Sequence, residues 1–232
     1  MTTKTKNKLY KIGNSLLSEL YPDRCAICGN IVASCDFICA ECNEGFERKP
    51  EMFYIGSTAC YSVCEYNEAN KRIALGAKND RDFHKLCFMA AEIYDLLKSF
   101  GVTEEIDVIV PAPISLVKRI KRGFNHTEKL SRHISSLSDI GVVKAVKKIR
   151  HTGEQKALTR SERLTNLKGS FAIDKRNIVR NKTVLLIDDV TTTGATLREI
   201  SDLLKKEGNR VICAVFAKTP YKEKAIQSKS PP

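Results

Sequence analysis

Short runs of branched apolar residues along this chain are separated by longer segments in which apolar residues recur every three or four positions. The runs at 106–110, 184–187 and 211–217 are continuous and too short for amphipathic helices. Such runs are typical of strands that are buried on both faces of a sheet. The range 57–66 alternates loosely and 142–146 is mainly apolar, so each predicts a further, weaker strand.

Helices are predicted between these strands. The range 82–100 places its apolar residues on one face, and Gly101 directly after it is a suitable C-terminal stop. Further helices are predicted at 67–77, 125–136 and 196–206. Because strands and helices alternate, the sequence predicts an α/β fold with a mainly parallel sheet flanked by helices.

The two ends of the chain differ from this α/β region, which we place at 51–220. Residues 1–50 form a separate N-terminal region with a short amphipathic helix at 9–20, and the polar tail 221–232 is expected to be flexible. The range 147–169 lacks apolar periodicity and is interpreted as an extended arm. No apolar run is long enough to cross a bilayer, and no signal-peptide core follows the N-terminus, so we expect a cytoplasmic protein.

Positive charge is concentrated in the centre of the chain, whose net charge is +12. Between Ile114 and Lys182 there are 18 Lys and Arg residues against 5 Asp and Glu, whereas the remainder has 21 against 22. A solvated basic face would explain scattered charge. The concentration instead indicates a surface for a polyanion such as nucleic acid or pyrophosphate.

Two cysteine pairs near the N-terminus have the spacing of a metal site. Cys25 and Cys28 form one C-x2-C pair, and Cys39 and Cys42 form another after ten intervening residues. Four such thiolates close a tetrahedral shell around Zn²⁺, so a structural zinc module is expected in residues 1–50. Cys35, between the pairs, is an alternative ligand. The other cysteines are expected to be small buried core residues: Cys60, Cys64, Cys87 and Cys213.

One segment has the composition of a binding site. After the strand 184–187 come two adjacent acids, Asp188 and Asp189, then a Thr- and Gly-containing loop and a helix that begins near Thr196. A helix start after such a loop presents unpaired N–H groups and a partial positive charge, which suits a phosphate. The two acids accept hydrogen bonds from vicinal hydroxyls. A site that recognises both groups is a site for a phosphorylated ribose.

This segment resembles the phosphoribosyl pyrophosphate motif of type I phosphoribosyltransferases. The alternative is an ordinary strand–turn–helix with solvated acids, but Asp-Asp followed by Thr-Thr-Gly-Ala-Thr is a much rarer combination. The resemblance implies a ligand site formed by Asp188, Asp189, Thr191, Thr192, Thr193, Gly194, Ala195 and Thr196. Purine-salvage members of that superfamily have an acid at the position of Thr192, and threonine cannot act as a base at neutral pH.

The leaving pyrophosphate of such a reaction requires Mg²⁺ and cationic side chains. The strand 106–110 ends at a proline-rich loop followed by basic residues, so the candidates for these contacts are Pro111, Ala112, Arg119, Lys121 and Arg122. Catalysis would rest on positioning and charge stabilisation. The sequence leaves open whether the pocket catalyses a transfer or only binds its ligand.

A second resemblance extends over residues 20–218. The cysteine pairs resemble the zinc module of the ComF competence family, and the segments 110–114 and 119–125 resemble its central signature. Similarly spaced matches are Arg150, Gln155, Leu158, Arg163, Asn166 and Phe171. His126 departs from the Asn-Gln pair that is usual in the family. The family implies a DNA-processing role in bacterial natural transformation that acts on incoming single strands.

The sequence therefore predicts a transformation factor with a phosphoribosyl pyrophosphate pocket and a basic surface for single-stranded DNA, in contact with other DNA-uptake proteins. The expected DNA-binding residues are Lys147, Lys148, Arg150, Lys156, Arg160 and Arg163. The alternative is an active phosphoribosyltransferase with an amine acceptor, or one in nucleotide metabolism, without a DNA role. A salvage enzyme is a third interpretation, which the zinc module and the missing base disfavour.

Overall fold

The computed structural model describes residues 23–33, 36–78, 83–150 and 167–220. Its strands in chain order are β1 Glu51–Ile55, β2 Thr58–Glu65, β3 Val108–Pro111, β4 Val146–Lys148, β5 Phe171–Ile173, β6 Thr183–Thr191 and β7 Arg210–Lys218. Five of them form the central sheet in the order β1-β2-β7-β6-β3. β1 is antiparallel to β2, and all other neighbours in this sheet are parallel. β4 and β5 form a separate antiparallel pair.

The helices lie on both faces of this sheet. In chain order they are α1 Ala40–Gly45, α2 Glu68–Gly76, α3 Phe83–Ser99, α4 Leu116–Arg122, α5 His126–Ser138 and α6 Ala195–Lys206. α3 and α5 pack together on one face, and α6 packs against β6 and β7 on the other. Among the helices in the described ranges, none combines the length and the apolarity that a bilayer crossing requires.

The continuous apolar runs of the sequence arise from this two-sided burial. In β6, Leu185 and Ile187 belong to the core on the α3 side, whereas Val184 and Leu186 belong to the core on the α6 side. Successive side chains of a strand point to opposite faces, so a sheet covered on both faces needs apolar residues at every position. The predicted α/β fold is confirmed, and β2, β3, β6 and β7 correspond to the predicted strands.

The N-terminal region packs directly on the α/β domain. The ring of Phe46 lies 5.1 Å from that of Phe88 on α3 and 6.0 Å from that of Phe216 on β7, measured between centroids. Arg48 donates to both carboxylate oxygens of Glu92 at 2.7 and 2.8 Å. An aromatic cluster and a bidentate ion pair thus fix the cysteine-containing region to the sheet.

Four elements were not predicted from the sequence: α1, α4, β1 and β5. β1 is an edge strand that exposes Met52 and Tyr54, and its other apolar residues, Phe53 and Ile55, are only partly buried against the core. α4 exposes Leu116, Val117 and Ile120 and has no buried residue, so it shows no apolar face turned to the core. The strand predicted at 142–146 is displaced: Val142 forms only a bridge with Ile109, and β4 begins at Val146.

Several predicted features lie outside the described residues. These are the helix at 9–20, the tail 221–232, Cys35 and the part of the predicted arm at 151–166. The beginning of that arm is not extended coil, because Lys147 and Lys148 belong to β4 and pair with β5.

Candidate functional site

The paired acids stand at the carboxyl edge of the parallel sheet, at the end of β6. The loop after β6 turns sharply into α6 at Gly194, which has a φ of 72° at the helix N-cap. A Cβ at this position would lie 3.0 Å from Cγ2 of Ile55. Glycine tolerates both the left-handed backbone and the close contact, so the local geometry requires a glycine at position 194. The Thr193 hydroxyl accepts a hydrogen bond from the Ala195 N–H at 3.3 Å.

A cavity of about 450 Å³ opens beside this loop. We call residues 188–197, which line one side without interruption, the motif wall. Other lining residues come from separate segments of the chain, and we call the following set the assembled wall: Lys78, Ala112, Ser115, Lys118, Arg122, His126 and Lys148. The cavity thus brings two carboxylates and a helix N-terminus together with several cations.

Asp189 is held from two directions in the pocket. Its Oδ2 atom lies 2.5 Å from Nζ of Lys78, and its Oδ1 atom lies 3.4 Å from Nε2 of His126. The other ring nitrogen of His126, Nδ1, is 3.4 Å from Nη1 of Arg122. Both Asp189 and His126 are buried. A continuous set of polar contacts therefore runs from Lys78 through Asp189 and His126 to Arg122.

The two acids have opposite electrostatic environments. Burial and the charge of the adjacent Asp189 raise the pKa of Asp188 well above the ordinary range. Burial also disfavours the charge on Asp189, but Lys78 and His126 outweigh it and hold its pKa below that range. Burial would lower the pKa of Lys78, yet the Asp189 charge raises it. The pocket therefore contains one firmly ionised carboxylate, which is already paired with an ammonium group.

His126, Asp188 and Asp189 also bring three ligand atoms within 4.8 Å of one another. Such a group is able to contact a cation. Mg²⁺, however, prefers oxygen ligands and retains most of its water. In this pocket the Lys78 ammonium already neutralises Asp189. The trio by itself is therefore a poor enclosed Mg²⁺ site.

The pyrophosphate candidates fall into two groups in the structure. Ala112 and Arg122 line the cavity, whereas Arg119 and Lys121 are exposed on α4 and do not. Pro111 is buried at the end of β3 and pairs in register with Ile187 of β6. These five assignments remain predictions, and only two of the five residues are positioned to contact a ligand in the cavity.

The DNA-binding candidates are also divided. Lys147 and Arg150 are exposed, but Lys148 lines the cavity. Burial and the nearby charge of Lys118 lower the pKa of Lys148. The remaining three candidates lie outside the described residues: Lys156, Arg160 and Arg163.

The four predicted zinc ligands converge in space. The sulfur atoms of Cys25, Cys28, Cys39 and Cys42 all lie within 4.8 Å of one another. The structure therefore contains a four-cysteine cluster that is consistent with a metal site. The predicted core cysteines are confirmed as buried free thiols: Cys60, Cys64, Cys87 and Cys213.

The electrostatics of this cluster favour a bound cation. Burial works against the thiolate of Cys25, but N–H groups of Cys28, Cys39 and Ile27 outweigh it and lower its pKa to about 6. Burial and the neighbouring sulfurs raise the pKa of Cys42. Four crowded thiols thus resist full ionisation unless a cation balances their charge, as a tetrahedral Zn²⁺ does.

Three pocket residues of the assembled wall were not predicted from the sequence: Lys78, Ser115 and Lys118. Lys78 lies in a segment without a recognisable motif, and Lys118 belongs to the unpredicted helix α4. His126 was noted only as a departure from a family pattern. The one usable indication was the position of Lys118 and Arg122 one helical turn apart after the proline-rich loop. No comparable sequence feature precedes Lys78.

Comparison with known proteins identifies one matching domain family and several relatives. Residues 116–230 match the model of the phosphoribosyl transferase domain family. Competence protein F of Haemophilus influenzae is 38% identical over 131 residues, which cover 56% of this chain and 56% of that protein. DNA utilization protein YhgH of Escherichia coli is 34% identical over 103 residues, 44% of each chain.

A third relative extends over more of the chain. Competence protein ComFC of Streptococcus pneumoniae is 28% identical over 192 residues, which cover 74% of this chain and 82% of that protein. The alignments with the first two relatives cover about half of each relative's length. Among solved structures, an adenine phosphoribosyltransferase matches 62% of this chain and 72% of its own at 19% identity, with a TM-score of 0.39.

Proposed function

We propose that this chain, which is similar to competence protein F and ComFC and matches the phosphoribosyl transferase domain model over residues 116–230, is a competence factor. It would bind phosphoribosyl pyrophosphate in its pocket and single-stranded DNA on its basic surface. The observation that carries the proposal is the cavity itself. It is lined by two acids and a helix N-terminus and also by the cations Lys78, Lys118, Arg122 and Lys148. In a cell such a protein would work in the cytoplasm during natural transformation.

The motif wall suits a phosphorylated ribose. The N–H groups at the start of α6 have no earlier helical turn to bond to, so those of Thr193, Gly194 and Thr196 are available to a 5′-phosphate, whereas that of Ala195 donates to the Thr193 hydroxyl. Asp188 is only partly buried and faces the cavity, where its free carboxyl oxygen is able to accept a ribose hydroxyl. Asp189 is the second acceptor once its present partner Lys78 moves. Thr191 and Thr192 would support the loop.

The assembled wall suits the pyrophosphate. Lys118 and Arg122 project from α4 into the cavity beside Ala112, and Lys148 reaches it from β4. Together these three cations would attract the negatively charged pyrophosphate of the ligand. Mg²⁺ would enter with the pyrophosphate, whose oxygens are its preferred ligands, and would reduce the charge that these cations must neutralise.

The proposed DNA surface consists of exposed cations on elements that also contribute residues to the cavity. Lys147 and Arg150 are exposed in and after β4, and Arg119 and Lys121 are exposed on α4. α4 also exposes Leu116 and Ile120, at 68% and 74%. The unstacked bases of a single strand are able to contact such apolar side chains, whereas a duplex conceals its bases. Contacts with other DNA-uptake proteins are part of the same proposal.

The four-cysteine cluster is proposed to hold one structural Zn²⁺. Four sulfur ligands leave no open coordination position, so the metal would stabilise the fold of the N-terminal region and would not bind a substrate. We expect Cys28→Ser to lower the zinc content measured by atomic absorption and to loosen residues 23–48 in hydrogen exchange. The matched control is Cys87→Ser, outside the cluster, which should retain the metal. Full zinc content in Cys28→Ser would contradict the assignment.

A second candidate function is an active phosphoribosyltransferase without a DNA role. It is favoured by the presence of both a helix N-terminus and several cations in the lining of one cavity, since a transfer reaction needs to bind a 5′-phosphate and a pyrophosphate. The exposed Thr192 stands where a catalytic base would be expected, so the acceptor would have to be a ready nucleophile such as an amine.

One set of assays on the same purified protein tests both functions. Phosphoribosyl pyrophosphate with Mg²⁺ should bind in calorimetry, and single-stranded DNA should bind with an affinity that falls steeply as salt rises. Pyrophosphate release that requires an added amine would establish the transferase. A protein that binds neither phosphoribosyl pyrophosphate nor DNA would contradict the proposed function.

A further inference from the structure

Lys78 reaches the pocket from a part of the chain that is remote from the phosphoribosyl motif. It follows α2, and its ammonium group lies 2.5 Å from Oδ2 of Asp189. The Asp189 side chain is 8% exposed, whereas that of Lys78 is 24% exposed and lines the cavity. The pair is therefore asymmetric: the acid is enclosed, and the base has room to move.

The residues around the Lys78–Asp189 pair indicate which part of a bound ligand Lys78 would contact. His126 contacts the other oxygen of Asp189. The neighbouring residues Asn125 and Thr127 both donate hydrogen bonds to the carbonyl of Ala112, at 3.3 and 2.5 Å. Through His126 and its neighbours, the Lys78–Asp189 pair is therefore connected to the loop at Ala112, whereas the proposed 5′-phosphate site is the loop at Thr193.

We propose that Lys78 binds the anionic group at C1 of the ribose, and that it exchanges Asp189 for this group when the sugar enters. The proposal rests on the proposed phosphoribosyl pocket and names the residue that distinguishes a pyrophosphorylated sugar from a simple sugar phosphate. With the 5′-phosphate at α6 and the hydroxyls at the paired acids, C1 is directed toward the Ala112 side of the cavity.

The exchange follows from the free-energy cost of leaving a charged group without a partner in a buried site. Without ligand, Lys78 neutralises Asp189. When a ribose hydroxyl donates to Asp189, the ammonium group is released and needs another anion, because an ion without a partner is strongly unfavourable in a buried site. Lysine has a flexible stem and three donors, so it is able to reach a new acceptor without backbone movement. A pyrophosphate at C1 supplies that acceptor, and ribose 5-phosphate does not.

Calorimetry with two ligands tests this role. Lys78→Met retains most of the side-chain volume and removes the charge. We expect it to weaken phosphoribosyl pyrophosphate binding in Mg²⁺ about tenfold to a hundredfold, the range of one charge-assisted hydrogen bond. Binding of ribose 5-phosphate should be equal to that of the wild type or tighter, because in the wild type this ligand must displace Lys78 from Asp189 without giving it a new acceptor. The control Lys98→Met, at an exposed position on α3, should change neither affinity.

Equal losses for the two ligands would overturn the proposal, since Lys78 would then act only by ordering Asp189. No loss for either ligand would overturn it as well. If Lys78→Met melts at a lower temperature or fails to fold, the comparison moves to Asp189→Asn against Asp189→Asn with Lys78→Met, which leaves no unpaired carboxylate. The double variant should still bind phosphoribosyl pyrophosphate about tenfold more weakly than the single variant; equal affinities would reject the assignment. A wild-type protein that binds neither ligand would instead refute the pocket itself.

Discussion

The motif wall and the assembled wall of the pocket differ in how the chain builds them. The motif wall is one uninterrupted segment, 188–197, at the end of a strand that is buried on both faces. The assembled wall combines side chains from the segment after α2, from α4, from the start of α5 and from β4. One wall is fixed by local backbone geometry, whereas the other exists only after the whole domain has folded.

This difference suggests a division of tasks. A rigid local segment is suited to the part of the ligand that never changes, the ribose and its 5′-phosphate. Side chains from separate elements are able to vary independently, and they are suited to the part that distinguishes one ligand from another. Changes in the motif wall should therefore affect all sugar phosphates, and changes in the assembled wall should affect only those with a second anionic group.

The largest effect is expected when both acids of the motif wall are neutralised. Asp188→Asn with Asp189→Asn removes the ionised acceptor Asp189, worth about 1.5–3 kcal/mol, and the carboxyl acceptor Asp188, worth about 0.5–1.5 kcal/mol. Affinity for phosphoribosyl pyrophosphate and ribose 5-phosphate should fall by about one and a half to three powers of ten if the contributions add. The exposed control Asp202→Asn on α6 should bind as the wild type does. If calorimetry gave wild-type affinity for the double variant, the two acids would not be part of the ligand site.

A smaller but still general effect is expected at Gly194. Gly194→Val must adopt a φ of 72° and meets Ile55 at 3.0 Å, so the phosphate loop has to shift. A branched residue in this conformation costs about 1–2 kcal/mol in stability, and both ligands should bind at least tenfold more weakly. Gly141→Val is the matched control, because a Cβ there has no neighbour within 4 Å and its φ is ordinary. Unchanged binding of ribose 5-phosphate would show that the loop does not hold the phosphate.

A selective effect is expected in the assembled wall. Lys118→Ala with Arg122→Ala removes two partly exposed cations, worth about 0.2–1 kcal/mol each. Binding of phosphoribosyl pyrophosphate should weaken about two- to thirtyfold, with little change for ribose 5-phosphate. Titration of both ligands measures the difference. If the two affinities fell together, the division between the walls would be wrong.

The smallest effect concerns DNA. Lys147→Ala with Arg150→Ala changes two exposed cations outside the cavity and leaves Lys148 in place. The slope of log affinity for single-stranded DNA against log salt should become less negative by about 0.7 per lost phosphate contact. Lys98→Ala with Lys206→Ala, at exposed positions on α3 and α6, is the control. A slope equal to that of the wild type would show that Lys147 and Arg150 do not contact DNA. If the variant also lost phosphoribosyl pyrophosphate binding, both residues would belong to the pocket instead.

The difference between the motif wall and the assembled wall also explains how much of the site could be predicted from the sequence. The alternation of buried strands and helices determined the fold class, and the motif wall was recognisable because its residues are consecutive. The cysteine pairs were recognisable for the same reason. Lys78 and His126 could not be found, since their contact with Asp189 depends on how α2 and α5 are placed around the sheet. Arg119 and Lys121 were predicted to contact pyrophosphate from their position in the chain, but the helical turn of α4 directs them to solvent.

The central claim is that the paired acids recognise the vicinal hydroxyls of a phosphorylated ribose. Calorimetric titration of the wild-type protein with ribose 5-phosphate and with 2-deoxyribose 5-phosphate tests it most directly, because the two ligands share the phosphate and differ by one hydroxyl. The account predicts that ribose 5-phosphate binds about tenfold to a hundredfold more tightly, the range of one hydrogen bond to a charged group. Equal affinities would contradict it and would reduce the pocket to a phosphate site.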